Sequence, residues 1–565
     1  MALEDIADKV FETDMLVVGG GLAGCPAAIK AAERGLNVIL AEKAKTDRSG
    51  SAGAGIDHFM GPFPEDMTPA DWLKTIKELT PSVLNQKTDF ADPNYVYRIY
   101  VHGKWTINEF ERLGASMKWT DGELRPIRFM MGGPFLRVHW NNVKPDLAKA
   151  VRKSGVNVLE RTMIIDLLTH NGNVVGATAI NSRTGEYIVI KAKAVVIATA
   201  ACSRVYNPET PTHWIYKFNY HWCPASVSGD GWAMAYRAGA ELANMEMAGR
   251  GYRARDDKVL SWGNVGNEGI DSKRFTWDGE ERTRRRGFQK NTRFDKLEKE
   301  GRDDPQYVSL HALPEDFHKR IEVAYVDERL VSFKIAEDRG FNPRTHWYEL
   351  MDNRANQLHI PPGIYVDGNF QTNTNGLFAI GDTMAGGHGS STCVTSGLLV
   401  GDDMQKFIID LPEPEIDEAQ VESQKQAAMA PLTVKDGTSP LELESSIRYI
   451  CDRYIGVSKS EGKLREGIRR LRSLRKKFLP QLMAKNPHEQ MRCLEVRNLM
   501  DIAEVHINAS LSRTESRQDH ERIDYPDQNP EWDGMLSFQY LKDDEMTFEM
   551  RKKGTLDMNL RVEKR

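Results

Sequence analysis

An α/β fold, with an α+β insertion and a helical C-terminal region, is what this 565-residue sequence predicts. Three observations carry the expectation. An apolar run at residues 15–18 leads through a glycine-rich turn into an alanine-rich helical stretch and a second apolar run at 37–41, the order of a parallel sheet buried on both faces. Two further apolar runs, 193–199 and 376–382, return far along the chain, as strands of one sheet divided by an insertion do. Residues 417–510 then carry helical periodicity with abundant Lys, Arg, Glu and Leu, the pattern of a helical bundle.

The first of these units is the most specific. Gly19-Gly20-Gly21-Leu22-Ala23-Gly24 matches GxGxxG between strand and helix, and Glu42 closes the second strand 23 residues after Gly19. Gly19 permits the tight turn, Gly21 lets backbone approach a pyrophosphate, and Gly24 lets the helix pack on the strand. The helix N-terminus offers unpaired N–H groups and its positive dipole end to a diphosphate. Glu42 stands where an acid accepts hydrogen bonds from a ribose. Strand, turn, helix, strand and terminal acid in this order predict a bound dinucleotide in a Rossmann-like domain.

The later strands specify which dinucleotide. Residues 376–382 end in Gly381-Asp382; in two-segment FAD proteins an aspartate so placed meets the ribityl chain, and the helix that follows faces the flavin pyrimidine. The strand that ends in Thr199 lies between the two segments. Together they predict FAD rather than NAD, in a two-dinucleotide-binding domain. Ala200-Ala201 follow Thr199 where glycines are usual, so a different backbone path is expected there.

Residues 1–228 are expected to form the first part of the FAD domain, with helices near 70–80 and 92–113. Between 158 and 190 apolar and polar residues alternate around turns at Asn171-Gly172 and Thr184-Gly185, which predicts β-hairpins. Residues 229–350 are expected to be a capping domain. Its stretch 281–304 is rich in both charge signs and reads as a solvated face, with a dock for an acidic partner as the alternative. Residues 351–415 return to the FAD domain, and 416–565 make a C-terminal helical domain with a tail.

Composition narrows the function classes. A net charge of −5 over 565 residues provides no general field for nucleic acid or anionic lipid. No run approaches the roughly 20 apolar residues that span a bilayer, so no membrane insertion is expected. The acidic start, MALEDIADKVFETD, lacks the basic-then-apolar order of a secretory signal. Cys25, Cys202, Cys223, Cys393, Cys451 and Cys493 lie far apart with no CxxC pair, which suits neither a disulfide framework nor a metal site. A reducing, cytoplasmic location is the expectation.

Four segments add a resemblance. Arg48-Ser49-Gly50-Ser51-Ala52-Gly53-Ala54-Gly55 resembles the flavin-embracing loop of the fumarate reductase/succinate dehydrogenase flavoprotein family. Members with covalent FAD carry a histidine after the serine; Gly50 in its place implies noncovalent FAD. Ser228-Gly229-Asp230-Gly231 resembles the segment that opens the family's capping domain. Ser512-Arg513-Thr514-Glu515-Ser516-Arg517, with His520, Arg522, Asp524, Tyr525 and Pro526, resembles its long C-terminal signature. Position in these segments adds Lys43, Ser49, Asp230, Ser396 and Leu398 to the cofactor contacts. His520 and the signature arginines read as residues that knit the helical domain to the flavin domain.

Within the family the chain is most similar to the adenylylsulfate reductase alpha subunits. Their "ERSG" loop is matched by Asp47-Arg48-Ser49-Gly50. Trp222, nine residues before Gly231, is similar to a tryptophan that lies near flavin and substrate in that branch. Arg253, fourteen residues after Gly239, stands where the branch has its substrate arginine, and His388 falls close to its active-site histidine. The segments 56–60 and 128–140 differ from that branch. Fumarate reductases carry an arginine after the histidine that grips a carboxylate; here HGSSTCVTSG has none.

The resemblance implies catalytic roles for Arg253, His388 and Trp222, a small anionic substrate, and a place in sulfur metabolism. It implies interconversion of adenylylsulfate with AMP and sulfite through an adduct at flavin N5. It also implies a ferredoxin-like iron–sulfur partner subunit, hence a hetero-oligomer. Two alternatives stand beside it: a flavoprotein reductase or dehydrogenase for another anionic or unsaturated substrate, and a substrate-free FAD electron-transfer subunit.

Overall fold

A computed structural model describes residues 2–61, 63–78, 89–115, 126–128, 134–140, 142–206, 224 and 226–247, short segments between 253 and 351, and 362–565 apart from 410, 457, 519, 543–544 and 563–564. The chain opens with β1 (Lys9–Val18), α1 (Gly24–Glu33) and β2 (Val38–Glu42). Apolar side chains on both faces bury β2 completely and the second half of β1 almost so. Next come β3 (Ile56–Met60), α2 (Pro69–Glu78), α3 (Pro93–Val101), α4 (Gly103–Leu113), β4 (Pro126–Arg128), β5 (Pro134–Trp140) and α5 (Val143–Lys153). Asp92 starts α3 by accepting from the Asn94 N–H at 2.8 Å with Pro93 at the first helical position, and Gly114 ends α4 in the left-handed conformation.

β6 (Asn157–Glu160), β7 (Thr162–His170), β8 (Asn173–Asn181) and β9 (Tyr187–Ile197) complete most of the main sheet. Its order is β6-β2-β1-β9-β8-β7, and β17 (Leu377–Ala379) pairs with the far end of β9. β6, β2, β1, β9 and β17 are mutually parallel, and β8 and β7 return antiparallel. The hairpin expected at Asn171-Gly172 joins β7 to β8, with φ of +49° and +78°, the positive pair that a type I′ turn demands.

After α6 (Asp230–Arg237) and β10 (Leu242–Ala243) comes an antiparallel sheet from the insertion. Its order is β11 (Arg253–Ala254), β15 (Trp347–Met351), β14 (Gln306–Ser309), β12 (Lys273–Thr276) and β13 (Glu281–Arg282). Most of the charged stretch 281–304 lies outside the described residues. β16 (Gly363–Ile364) and β17 bring the chain back, and α7 (Gly389–Ile408) packs along α1. Gly397 and Gly401, one turn apart, make that approach possible. A Cβ on either would stand 2.2 Å from the Ala23 carbonyl oxygen or 2.3 Å from that of Ala27. The two helices therefore present their N-termini side by side at the carboxyl ends of β1 and β17.

The helical region contains α8 (Glu418–Thr433), α9 (Pro440–Ile450), α10 (Glu461–Phe478) and the 26-residue α11 (Pro487–Ser512). Two short strands, β18 (Ser458–Lys459) and β19 (Glu521–Arg522), pair in parallel beside them. Arg522 closes α11: its guanidinium donates to the carbonyls of Ser510, Leu511 and Arg513 at 2.9, 3.1 and 3.2 Å, satisfying acceptors that a helix end leaves open. The tail after the helices is built of strands. β20 (Met535–Lys542) and β21 (Glu545–Lys552) form a hairpin, and β20 pairs with β10 in a sheet of order β16-β10-β20-β21. Leu536 and Phe538 are buried there with Ala243 and Met247.

Candidate functional site

The glycine turn between β1 and α1 has no spare volume on its protein side. Gly19 sits at φ +104°, and a Cβ there would meet the Ala198 carbonyl oxygen at 2.6 Å; one on Gly24 would meet the Gly19 carbonyl oxygen at 1.9 Å. Gly21 differs, since a Cβ there meets nothing nearer than 4.0 Å. Its face is the open one, the face a pyrophosphate needs. Glu42 accepts from the Gly20 N–H and the Ala44 N–H, each at 2.7 Å. The backbone thus fixes its carboxylate at the end of β2 with lone pairs left for a ribose.

The loop after β2 closes over this turn. Gly50, at φ +74°, lies so close that a Cβ would be 3.6 Å from the Gly21 Cα, and Ser49 Oγ donates to the Gly20 carbonyl at 3.4 Å. From the other strand pair, Gly381 lies against Ala23. Asp382 Oδ1 accepts from the Gly389 N–H and from the Cys393 thiol, both at 3.2 Å. Ser396 is buried, accepting from the Gly381 N–H at 3.0 Å and donating to the Thr392 carbonyl at 2.6 Å. It fastens α7 to the strand end. Leu398, on the same helix, is in the core.

Ala200 takes φ +62°, so an alanine adopts the left-handed conformation that a glycine would hold without cost. Beside it the Thr199 hydroxyl is buried with no hydrogen-bond partner among the described residues, as is the hydroxyl of Thr46, whose methyl lies next to Gly20. Buried hydroxyls rarely stay unpaired. Open backbone at Gly21, two orphaned hydroxyls, a fixed acid and two converging helix N-termini fit FAD, and Gly50 leaves no side chain for a covalent link.

Two of the expected contacts are engaged elsewhere. Lys43 Nζ donates to the Ser226 carbonyl (2.9 Å), Ser228 Oγ (2.9 Å), Asp230 Oδ2 (2.7 Å) and Glu495 Oε1 (2.6 Å). Asp230 also accepts from Asn498 Nδ2 at 2.8 Å. Burial works against the Lys43 charge, but Asp230 and Glu495 outweigh it and raise its pKa. Arg204 joins through Glu495 at 2.8 Å and Glu444 at 2.6 Å, and Arg448 and Arg492 complete the cluster. This network ties the end of β2 and the start of α6 to α9 and α11. The C-terminal signature acts in a similar way: Arg513, wholly buried, pairs with Glu246 at 2.5 Å and Glu515 at 2.8 Å.

Of the residues with expected catalytic roles, His388 is placed. It is the extended residue that leads into α7, with φ −167° and ψ 141°, at the N-terminal end of that helix. Arg253 has its backbone in β11, paired with Met351, and its side chain is not among those described. Trp222 lies outside the described residues. β3 and β5, which lie in the segments 56–60 and 128–140 singled out in the sequence, meet in one sheet: Phe59 pairs with Leu136 and Met60 with Phe135, and β3 packs on α7.

The fold and this cradle define a flavoprotein oxidoreductase that binds FAD. The chain belongs to the FAD-binding domain family, which matches residues 14–393, with the fumarate reductase flavoprotein C-terminal family matching 444–564. It is 23% identical to a fumarate reductase (CoM/CoB) chain of Methanothermobacter marburgensis, across 93% of this chain and 96% of that one. It is 26% identical to the L-aspartate oxidase of Vibrio cholerae, across 92% and 97%. Among solved structures it is similar to the adenylylsulfate reductase of Archaeoglobus fulgidus, with TM-score 0.81, 24% identity and 97% of each chain covered. That likeness shows the fold. Among the described residues no group of His, Cys, Asp and Glu could hold a metal, and no helix is long and apolar enough to cross a membrane.

Proposed function

We propose that this flavoprotein interconverts adenylylsulfate with AMP and sulfite and exchanges electrons with an iron–sulfur partner subunit. The observation that carries the reading is the composition of α7. Between His388 and Lys406 it holds no cation, and Thr392 in its first turns is buried. A dicarboxylate bound there would lack a bidentate arginine, whereas a single sulfuryl group needs only one. Arg253 supplies that one, gripping the sulfuryl oxygens. Trp222 stacks on the adenine, and His388 hydrogen-bonds the bridging oxygen as the sulfur–oxygen bond to AMP breaks. FAD held in the cradle supplies the two-electron chemistry. The fold likeness to adenylylsulfate reductase supports this reading, and so does the naming of several relatives as parts of larger reductases.

A second reading follows from the names of the sequence relatives: reduction of an unsaturated anion, with Arg253 or His388 giving the proton. Arg253→Met separates the enzyme readings from a substrate-free electron carrier. With FAD content unchanged, it is expected to lower AMP- and sulfite-dependent reduction of ferricyanide by about 10²–10³-fold, the usual cost of one transition-state donor. Undiminished turnover would remove Arg253 from the reaction.

A further inference from the structure

We infer that the exposed face of α10 is a docking surface for a partner protein whose contact face is acidic. Across its 18 residues α10 carries eight Lys and Arg side chains and two Glu, in a chain whose net charge is −5. Its apolar seam faces the bundle: Leu464, Gly467 and Leu471 are buried, and Ile468 and Leu474 pack on the same core. The other face meets solvent. Arg465, Arg469, Arg472 and Lys476 follow one another at spacings of four, three and four residues, so they share one stripe of the helix. The three arginine side chains are 65%, 67% and 63% exposed. Lys463, Arg470 and Lys477, each seven residues from the next, flank the stripe.

Folding alone does not call for this pattern. Like charges four residues apart, Arg465 with Arg469 and Arg472 with Lys476, weaken a helix. The helix dipole favours Arg475, Lys476 and Lys477 in the last turn, but it opposes Lys463 in the first and does not act on the arginines between. Acids hold the guanidinium groups in place without matching their number. Glu461 pairs with Arg465 at 2.7 Å, Glu466 with Arg469 and Arg470 at 2.7 Å each, and Glu504 of α11 with Arg472 at 2.9 Å. Lys463, Lys476 and Lys477 have no ion pair among the described residues. Exposed pairs of this kind are weak, so carboxylates from a partner can replace them.

An acidic protein face fits this surface better than the other polyanions do. A lipid surface would need the apolar seam, which is buried in the bundle. A nucleic-acid backbone offers phosphates alone; it would meet Glu461 and Glu466 on the helix and a net acidic chain around it. A protein can match the mixture, because its carboxylates take guanidinium groups bidentately and its apolar side chains cover the ends of the helix. Phe478 is exposed at one end, and Ile523 and Tyr525 near the other. The Ile523 N–H donates to the Lys459 carbonyl at 2.9 Å and the Glu461 N–H to Asp524 at 2.7 Å, which holds that pair beside the start of α10. Arginines next to aromatic residues are the composition enriched in protein interfaces.

The test uses the full-length FAD-bound protein at physiological ionic strength. The probe is fluorescent poly(Glu,Tyr), a copolymer that offers carboxylates and aromatic rings, followed by anisotropy. Arg465→Glu, Arg469→Glu, Arg472→Glu and Lys476→Glu combined are expected to weaken binding by more than about tenfold. The same charge change at Lys9, Lys104, Lys149 and Arg183, exposed elsewhere, is expected to alter it by less than about twofold. Equal losses from the two combinations would show a general charge effect and overturn the inference. So would no binding by the natural chain, or tighter binding of duplex DNA or phosphatidylserine vesicles than of the copolymer. Gln at the same four α10 positions removes the charge without reversing it and serves if the Glu combination does not fold; copolymer bound as tightly by it as by the natural chain overturns the inference too.

Discussion

Glu495→Gln is expected to lower the stability of the folded chain by about 3–5 kcal/mol, the range for breaking a buried ion pair. Glu495 is 2% exposed at its side chain and faces Arg204, 3% exposed, as well as Lys43 and Arg492. The amide keeps the volume and removes the charge, so Arg204 and Lys43 each lose one of two carboxylate partners, keeping Glu444 and Asp230 respectively. Urea unfolding followed by circular dichroism measures the loss. A change below about 1 kcal/mol would mean that the cluster behaves like an exposed pair.

The same carboxylate sets an acid limit. Burial alone would raise its pKa, but Lys43, Arg204 and Arg492 hold it down at about 2, against 4.5 for an ordinary glutamate. A folded-state pKa below the unfolded one stabilises above the unfolded value, and the contribution is lost as pH falls through the folded one. Glu495 therefore contributes fully above pH 4.5 and progressively less down to about 2. The Gln variant should show a flatter stability–pH curve in that window. His506, pushed to about 3 by burial and by Lys459, adds a separate loss that begins near pH 6.5 and persists in the variant.

The second large effect is at the glycine turn, where two neighbouring substitutions should fail for different reasons. Gly24→Ala places a methyl 1.9 Å from a backbone oxygen that cannot swing away. It should cost at least about 3 kcal/mol, the upper end for overpacking, with or without FAD. Gly21→Ala meets nothing nearer than 4.0 Å, so the apoprotein should keep its stability and lose FAD affinity alone. Thermal unfolding of both apoproteins and a flavin fluorescence titration distinguish them. An apo Gly21→Ala chain as unstable as Gly24→Ala would place the ligand on another face.

These contrasts show which parts of the molecule are legible in the chain. The turn at 19–24, the strands around it and the type I′ hairpin at Asn171-Gly172 are local: a few neighbouring residues determine each geometry. Lys43, at the end of β2, and Asp230, in the segment Ser228–Gly231, invite a reading as flavin contacts by position. Their structural partners are far away, with Glu495 452 residues from Lys43 and Asn498 268 from Asp230, so no local pattern announces them. The β20–β21 hairpin is hidden in the same way, since its partner strand is Leu242–Ala243. Gly397 and Gly401 do leave a signal, a G-x-x-x-G spacing that marks close helix packing, and it is masked by the attention the flavin-facing end of that helix attracts.

Sulfite decides the function most directly. The purified protein, its FAD shown to be released by acid, is titrated with sulfite near neutral pH while the flavin absorbance is recorded, and AMP with ferricyanide is then added. Loss of the flavin band on sulfite addition, followed by AMP-dependent ferricyanide reduction, is the expected result. A flavin indifferent to sulfite, with no AMP-dependent turnover, would contradict the adenylylsulfate reading and leave reduction of another anion, or electron transfer alone, for this FAD site.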